Sequence, residues 1–271
     1  MSNAYANSEF WTHRGDAMTV VGDFLGRQPA IEMLAARESE VLLDAGCGAG
    51  FTTRMAARSA ADLKVYGCDL EQNMLDAANR EETKLQLGIQ YHRADVTSSL
   101  PYPSGHFNGI VCIGVAIHFS PEECAGFFRE VFRVLKPGGR LIVGVTHPYV
   151  YQHGSPHRDC RATWQRLEPQ DCLPMEQSQR FHEQYRNSTG EIFEAEVWYH
   201  PPDFFSTVAL DSGLLPVREQ GTYVTQEVLD KCNQVGGVGY PAFYQFLCKK
   251  PLPNMVSHFH GCSSQILGGW L

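Results

Sequence analysis

Short apolar runs alternate with amphipathic stretches between residues 40 and 147. The apolar runs predict β-strands at residues 40–45, 64–69, 89–95, 107–114 and 140–147. The stretches between them predict helices at residues 51–59, 72–80 and 121–135. Continuous apolar strands separated by helices are typical of a parallel sheet covered on both faces. The pattern therefore predicts a doubly wound α/β fold, whose ligand lies at the carboxyl ends of the strands.

The pattern changes on both sides of this core. Residues 1–39 look mostly helical and are expected to form an N-terminal lid segment, whereas residues 148–190 suit an irregular or partly helical insertion. Further on we expect a strand at residues 191–200, a helix at 202–212 and a last strand at 243–250. The predicted organisation is one domain over residues 40–250, with residues 148–200 as a cap inserted before the last strands and 251–271 as a tail.

Composition narrows the classes of partner. The 22 basic and 30 acidic side chains give a formal charge of -8, which disfavours nucleic acid as a partner because phosphate-binding proteins usually carry a basic face. The sequence contains neither an apolar run of about 18 residues nor a signal-peptide pattern, so a cytoplasmic protein without a membrane partner is expected.

The spacing of the cysteines and histidines predicts neither disulfide bonds nor a metal site. The nine cysteines are scattered without a CxxC pair, which favours reduced thiols. His258, His260 and Cys262 lie close together in the tail, but a structural zinc site needs a fourth ligand. No metal site is predicted.

A glycine-rich segment, "DAGCGAGF", follows the first predicted strand. Gly46, Gly48 and Gly50 permit a tight turn and close approach of a ligand to the backbone. The dinucleotide fingerprint would need a further glycine at position 51, where this chain has Phe51. Asp44 adds an acceptor where a pyrophosphate would want none, which disfavours a nicotinamide oxidoreductase. The loop is better suited to a ligand with an ammonium group.

Two more carboxylates end the next two strands. Asp69 closes the second strand, at the position from which an acidic side chain accepts ribose hydroxyls. Asp95 ends the third strand, near enough to accept the amino group of adenine. Each aspartate alone is explained equally well as a cap of the following helix. Together with Asp44 they favour a nucleoside site.

Residues 41–147 resemble the class I S-adenosylmethionine-dependent methyltransferase family. The likeness is carried by "VLLDAGCGAGFTTRMA", "VYGCDLEQNMLDAA", "YHRADVTSSLPYPSGHFNGIVC" and "EVFRVLKPGGRLIV". "THPYVY" and "WYHPPDFF" resemble the small-molecule branch of that family. The resemblance implies a Rossmann-like, mostly parallel seven-stranded sheet with helices on both faces. It also implies S-adenosyl-L-methionine as methyl donor and S-adenosyl-L-homocysteine as product.

The resemblance also implies roles for single residues. Asp44, Gly46, Cys47 and Gly48 would border the methionine part of the donor, and Asp69 its ribose. The adenine would meet the side chains of the next two strand ends, and the backbone after the fourth strand would approach the amino acid part. These further positions are Leu70, Met74, Asp95, Val96, Ile113 and Gly114.

Three histidines are candidates for a general base. His118 follows the fourth strand, His147 follows the fifth, and His200 comes with Tyr199 from the end of the cap. An unperturbed pKa of about 6.5 suits a histidine for proton transfer near neutral pH. The alternative is that each is a satisfied polar residue at a strand end. A base is needed only when the acceptor carries a proton that must leave.

The acceptor is narrowed to a small molecule methylated at O, N or C. Methyltransferases of planar amino groups resemble one another in an Asn/Asp-Pro-Pro-Tyr/Phe stretch, where this chain has "IGVAIHF". The cap and N-terminus supply aromatic side chains that either wall a pocket or pack the cap, namely Tyr149, Tyr151, Trp164, Phe181, Tyr185, Tyr5, Phe10 and Trp11. A catalytically silent scaffold that binds the donor is the alternative function. The N-terminal segment covers either its own pocket or that of a second copy, so a homo-oligomer stays open.

Overall fold

A single twisted sheet of seven strands forms the centre of the protein, as seen in a computed structural model. The structure describes residues 22–153, 163–166, 176–186, 192–231, 238–239 and 241–253. Its strands are β1 (Val41–Ala45), β2 (Lys64–Asp69), β3 (Gln90–Arg93), β4 (Phe107–Ile113), β5 (Leu135–Thr146), β6 (Thr163–Arg166), β7 (Gln179–Arg186), β8 (Ile192–Tyr199), β9 (Leu215–Tyr223) and β10 (Pro241–Lys249). The strand order in the large sheet is β3-β2-β1-β4-β5-β10-β9.

Strands β1 to β5 run parallel, and β10 is antiparallel to both of its neighbours, β5 and β9. The mostly parallel seven-stranded sheet predicted from the sequence is therefore confirmed. Seven α-helices are described: α1 (Gln28–Leu34), α2 (Phe51–Ala57), α3 (Gln72–Leu85), α4 (Pro121–Val134), α5 (Pro148–His153), α6 (Pro202–Asp211) and α7 (Gln226–Lys231). A π-helical turn, Gly22–Arg27, precedes α1, and a 3-10 turn, Ala116–His118, follows β4.

Alternate residues of the central strands pack into two cores. Leu42 of β1 lies in a cluster with Ile31 and Leu34 of α1 and Ala56 of α2. Its neighbour Leu43 lies in the larger cluster. Helices α4 and α6 contribute the aromatic side chains of Phe127, Phe128 and Phe205 to that cluster. Because successive side chains of a strand point to opposite faces, both faces of the sheet are covered by helices.

Strand order reverses between β1 and β4, since the chain moves outward from β1 to β3 and then returns to the other side of β1. Ligands of doubly wound sheets bind in the crevice at such a switch point. The segment after β4 ends at Ser120, which caps the N-terminus of α4. The Ser120 hydroxyl accepts from the Glu123 amide, and the Glu123 carboxylate accepts from the Ser120 amide. This capping box fixes where α4 begins.

The cap differs from the sequence expectation. Residues 148–190 were expected to be irregular or partly helical, but β6 and β7 lie in this range and pair with β8 in a three-stranded antiparallel sheet. Only α5 is helical there among the described residues. The sequence did not predict these two strands, because polar residues dominate them and obscure the alternation from which a strand is recognised.

Strand β9 was also missed, although it forms the edge of the large sheet next to β10. Its side chains are mostly exposed or half-buried, so the strand carries little hydrophobic signal. The π-helical turn docks on these two strands: the Thr222 hydroxyl donates to the Leu25 carbonyl at 2.5 Å, and the Gln245 amide donates to the Gly26 carbonyl at 2.8 Å. The start of the described chain is thereby held against its end.

Candidate active site

A cavity of about 330 Å³ lies at the switch point. Its size falls at the lower end of the range typical of small-molecule sites. The described residues that line it come from the ends of β1 to β5, from α2 and α3, from the π-helical and 3-10 turns, and from β10: Arg27, Gly46, Cys47, Gly48, Ala49, Phe51, Thr52, Asp69, Leu70, Glu71, Met74, Ala94, Asp95, Val96, Ile113, Gly114, Val115, Ile117, His118, Phe119, Thr146 and Phe243. Ten of the eleven positions predicted for the cofactor are on this wall, the exception being Asp44.

Gly46 is constrained by its conformation and by a neighbour. Its φ of +77° lies in the left-handed region, and a Cβ atom there would come within 2.5 Å of Val115 Cγ2. Val115 belongs to the segment after β4, so the glycine permits the ends of β1 and β4 to meet. A side chain at position 46 would push these two segments apart at the mouth of the cavity.

The backbone N–H groups of the loop are already engaged within the protein. Gly46 and Cys47 both donate to the Cys68 carbonyl, at 2.8 and 2.9 Å, and Gly50 donates to the Cys47 carbonyl at 2.9 Å. Gly48 donates to Asp69 Oδ2 at 2.8 Å. A diphosphate is bound through free backbone N–H groups at such a loop. These four amides do not offer that arrangement, which agrees with the sequence argument against a dinucleotide.

Asp69 sits between the glycine loop and α3. Its Oδ1 accepts from the Glu71 amide at 2.9 Å, while its Oδ2 accepts from Gly48. Burial raises the pKa of this carboxyl above its ordinary value, and the backbone N–H groups of Glu71, Gly48 and Leu70 oppose that shift. An ionised carboxylate has about four lone-pair positions, so these contacts leave it capacity to accept from a ligand hydroxyl.

The side of the cavity next to Asp69 is largely apolar. Leu70 lines the cavity with 53 % of its surface exposed, and Met74 lies on the same wall. Asp95 is at the far end, where its Oδ1 accepts from the amide and the hydroxyl of Thr97. This part of the cavity therefore combines apolar side chains with a carboxylate.

Asp44 is a correction to the sequence prediction. Its side chain is 1 % exposed, and its Oδ2 accepts from the Thr53 hydroxyl at 2.6 Å, so it lies beneath the loop rather than on the cavity wall. Burial is the main cause that raises the pKa of this carboxyl to about 7. The physical reason is the strand alternation, since Asp44 faces the side of the sheet that α2 covers. Asp44 supports the loop instead of bordering a ligand directly.

His118 lies on the cavity wall, at the end of the 3-10 turn after β4. Its Nδ1 is 3.3 Å from the carbonyl oxygen of Glu196 in β8. A carbonyl oxygen only accepts, so this contact assigns the proton to Nδ1 and leaves the imidazole lone pair on Nε2. That tautomer is the form that accepts a proton through Nε2.

His200 and His147 do not line the cavity, which corrects two of the three candidate bases. His200 Nε2 donates to the Phe119 carbonyl at 3.0 Å, and its Nδ1 accepts from the Ser178 hydroxyl at 2.8 Å. Burial lowers the pKa of His200 to about 4. The side chain therefore joins the cap to the core as a neutral imidazole, with both nitrogens engaged.

His147 comes one residue after the last residue of β5 that lines the cavity. Thr146, the last residue of β5, lines the cavity, and the next side chain points away, with its Nδ1 accepting from the Tyr149 amide at 3.2 Å. Its ring packs near Tyr223 and Tyr244, and burial lowers its pKa. The expectation that His147 lines the pocket is wrong.

The aromatic side chains of the cap that are described pack inward. Tyr151 has its ring centroid 5.5 Å from that of Phe181 and 5.6 Å from that of Tyr199, and all three side chains are buried. They join the cap to the core and are not on the cavity wall. Tyr149 is also off the wall and 38 % exposed. The remaining expectations concern side chains outside the described part of the structure: Trp164, Tyr185, Tyr5, Phe10 and Trp11.

Sequence reasoning missed several wall residues. Phe119 was within reach of the argument that found its neighbour His118. Arg27, Thr146 and Phe243 come from separate segments, and no local motif marks them. Arg27 carries the only permanently cationic side chain among the described residues of the wall.

The described residues meet neither the requirements of a metal site nor those of a membrane-spanning helix. Within them, no three His, Cys, Asp or Glu side chains are grouped so that they could hold a metal ion. The tail residues His258, His260 and Cys262 lie outside those ranges. No helix in the described part combines the length and apolar character needed to cross a membrane.

Comparison with known proteins finds methyltransferases similar to the core. Residues 42–139 match a family described as a methyltransferase domain. Demethylmenaquinone methyltransferase from Tropheryma whipplei is 35% identical over 123 residues, which is 45% of this chain and 48% of that protein. The chain thus spans about half the length of the curated relatives that it matches.

Solved structures share the fold at low identity. An S-adenosylmethionine-dependent methyltransferase from Mesorhizobium loti matches with a TM-score of 0.57 and 20% identity, covering 82% of this chain and 96% of that one. The 1,6-didemethyltoxoflavin-N1-methyltransferase of Burkholderia thailandensis, solved with its acceptor and S-adenosylhomocysteine, matches with a TM-score of 0.57 and 16% identity over 92% of this chain and 88% of that one. Both show the architecture described above.

Proposed function

We propose that the protein is a class I S-adenosylmethionine-dependent methyltransferase that transfers a methyl group to a small molecule, because residues 42–139 match a methyltransferase domain and solved S-adenosylmethionine-dependent methyltransferases share its fold. The observation that carries this proposal is the cavity at the β1–β4 switch point, where Asp69 and Asp95 lie on the wall and the loop amides are engaged within the protein. The acceptor is a small molecule methylated at O, N or C.

The donor is proposed to lie along the strand ends. Asp69 would accept the two ribose hydroxyls through the lone pairs left by its backbone contacts. Leu70, Met74 and Val96 would cover the adenine, and Asp95 would accept from its amino group. Gly46, Cys47, Gly48, Ile113 and Gly114 would surround the methionine part, with Asp44 below the loop contributing charge.

The donor, when bound, supplies a methyl group already activated by the positive sulfonium. The residues of this chain have the task of aligning the acceptor atom with the methyl carbon and sulfur, for which fixed geometry contributes about 7–11 kcal/mol. Ile117, His118, Phe119, Thr146 and Phe243 form the part of the wall that would hold the acceptor. Their mostly apolar surface suits a flat or apolar molecule.

His118 is proposed as the general base for an acceptor that must lose a proton. The acceptor atom would bond to the methyl carbon as its proton passes to the His118 imidazole, and the carbon–sulfur bonding pair would stay on sulfur in S-adenosylhomocysteine. The Glu196 carbonyl would hold the required tautomer through Nδ1–H. General-base catalysis contributes a factor of about 10²–10⁴ when such a proton must leave.

Names of relatives support a small acceptor. Demethylmenaquinone and 1,6-didemethyltoxoflavin are the acceptors named for two of the proteins above. The formal charge of -8 is also unfavourable for nucleic acid. A cytoplasmic location and self-association stay predictions.

The first experiment measures binding of S-adenosylhomocysteine by calorimetry. Asp69→Ala should weaken binding by more than about tenfold, since it removes charge-assisted hydrogen bonds to both ribose hydroxyls. Asp76→Ala is the matched control, because Asp76 is an exposed carboxylate of α3 that does not line the cavity. Equal affinity in wild type and Asp69→Ala would remove the ribose assignment.

Turnover is tested by transfer of a labelled methyl group to a panel of quinones, phenols, amines and heterocycles. Transfer to a member of the panel, abolished by excess S-adenosylhomocysteine, would support the enzyme. Tight donor binding without transfer to any of them would favour the scaffold.

A further inference from the structure

The glycine loop leaves one charged group of the proposed donor without a partner. The methionine part carries an ammonium and a carboxylate, and the acidic side chains of the wall, Asp69, Glu71 and Asp95, offer no partner for the carboxylate. A carboxylate needs N–H donors or a cation. The nearby amides of Gly46, Cys47 and Gly48 donate within the protein, as does that of Gly114, which donates to the Gly144 carbonyl at 2.7 Å.

Arg27 is placed to supply that cation. Its guanidinium lies over the ring of Phe51, 5.2 Å from the centroid, at the point where the glycine loop enters α2. Its charge also lowers the pKa of Asp44, against the larger effect of burial, so the two groups are close enough to interact. Arg27 therefore lies beside the loop, on the methionine side of the cavity.

The position of Arg27 is fixed from two directions. Its Nη1 donates to Asp23 Oδ1 at 2.6 Å, one turn earlier in the chain. The backbone of the same turn is held on β9 and β10 by the hydrogen bonds of Thr222 and Gln245. A guanidinium has five N–H donors in a planar fork. The bond to Asp23 uses one of them, so donors remain for a second carboxylate.

We propose that Arg27 binds the carboxylate of the methyl donor and that Asp23 is a positioning residue for its guanidinium. This inference rests on the proposed function. It makes the π-helical turn part of the donor site, so that the donor is recognised by the strand ends and also by a segment docked on the opposite end of the sheet.

The test compares two donors that differ only in this group, S-adenosylmethionine and its decarboxylated form. Calorimetry on the wild-type protein gives the ratio of their two dissociation constants. Arg27→Met should reduce the preference for the carboxylated form by at least about tenfold, because a charge-assisted pair is lost. Affinity for the decarboxylated form should change little.

Three further variants complete the test. Arg27→Lys should keep part of the preference, because it retains the charge without the planar fork. Asp23→Asn should reduce it by a smaller factor than Arg27→Met. Arg58→Met, which removes an exposed arginine outside the cavity, should keep the wild-type ratio.

An unchanged ratio in Arg27→Met and Arg27→Lys would overturn the inference. If Arg27→Met fails to fold, as judged by its unliganded thermal transition, Arg27→Lys and Asp23→Asn decide by the same ratio. A failure of the proposed function is distinguishable, because then the wild-type protein would bind neither donor.

Discussion

Two walls of the cavity are built in different ways. The strand-end wall comprises Gly46, Gly48, Asp69, Asp95 and Gly114, which follow consecutive parallel strands and meet because those strands share one edge. The docked wall comprises Arg27, Thr146 and Phe243, brought together by contacts such as the Gln245–Gly26 hydrogen bond, which joins residues 219 positions apart. The first wall depends on local motifs, and the second depends on packing of the whole chain.

His118 lies where the two walls meet. The 3-10 turn that carries it follows β4, but its ring is oriented by Glu196 of the cap. A change in the cap at Glu196 should therefore alter the orientation of the His118 ring without altering the strand-end wall. The docked wall serves both proposed ligands, since Arg27 is assigned to the donor, whereas Thr146 and Phe243 are assigned to the acceptor.

The largest expected effect comes from breaking the strand-end wall at Gly46. Gly46→Ala places a Cβ atom 2.5 Å from Val115 Cγ2 on a backbone with φ +77°. We expect a loss of about 3–4 kcal/mol in the free energy of unfolding, from left-handed strain plus overpacking. Urea denaturation measures it, and binding of S-adenosylhomocysteine should be lost in parallel.

Gly88→Ala is the matched control for Gly46→Ala. Gly88 has a φ of +78°, but a Cβ atom there meets nothing within 4 Å. Only the strain of about 1–2 kcal/mol should appear, with binding intact. Equal destabilisation of the two variants would show that the Val115 side chain moves aside at little cost, which would contradict the close packing of β1 against the segment after β4.

A smaller effect is expected where the walls meet. His118→Gln should lower turnover about 100-fold for an acceptor that loses a proton, which is near 2.7 kcal/mol, and should leave donor affinity unchanged. His147→Gln serves as control, because that ring lies off the wall. If turnover is unaffected in His118→Gln, the base lies elsewhere or the acceptor needs none.

The most gradual effect is a pH dependence of stability from Asp44. Burial raises its pKa from 3.8 to about 7, so between these values the unfolded chain releases a proton that the folded protein keeps. Stability from this group is fully present below pH 4, falls by at most about 1.4 kcal/mol per pH unit as the pH rises, and levels off above pH 7.

Asp44→Asn should remove this slope while preserving the hydrogen bond from Thr53. Thermal unfolding of wild type and Asp44→Asn between pH 5 and 8 measures it. Parallel curves for the two proteins would mean that Asp44 is ionised in the folded state.

The difference between the walls also explains what could be predicted from the sequence. Strands β1 to β5 follow from continuous apolar runs, and Asp69 and Asp95 follow from the ends of those runs. Asp44 was assigned to the right loop but to the wrong side of it, because its exposure depends on which face α2 covers. Strand β9 and residues Arg27 and Phe243 have no local signal, since tertiary contacts alone place them.

Histidine shows the same division. His118, His147 and His200 look equivalent in the sequence, each following a predicted strand. The structure separates them by a one-residue alternation at Thr146 and by the two hydrogen bonds that engage His200 in joining the cap to the core. A pattern of residue types does not contain that information.

Leu70 has a thermodynamic consequence. A leucine with 53 % of its surface in water sits on the rim of a cavity that is otherwise apolar on that side. An adenine ring that covers it removes apolar surface from water, and that burial carries a negative heat-capacity change. Donor binding is therefore expected to grow more exothermic on warming. The exposed surface of Leu70 should thus be detectable as part of the heat-capacity change of donor binding.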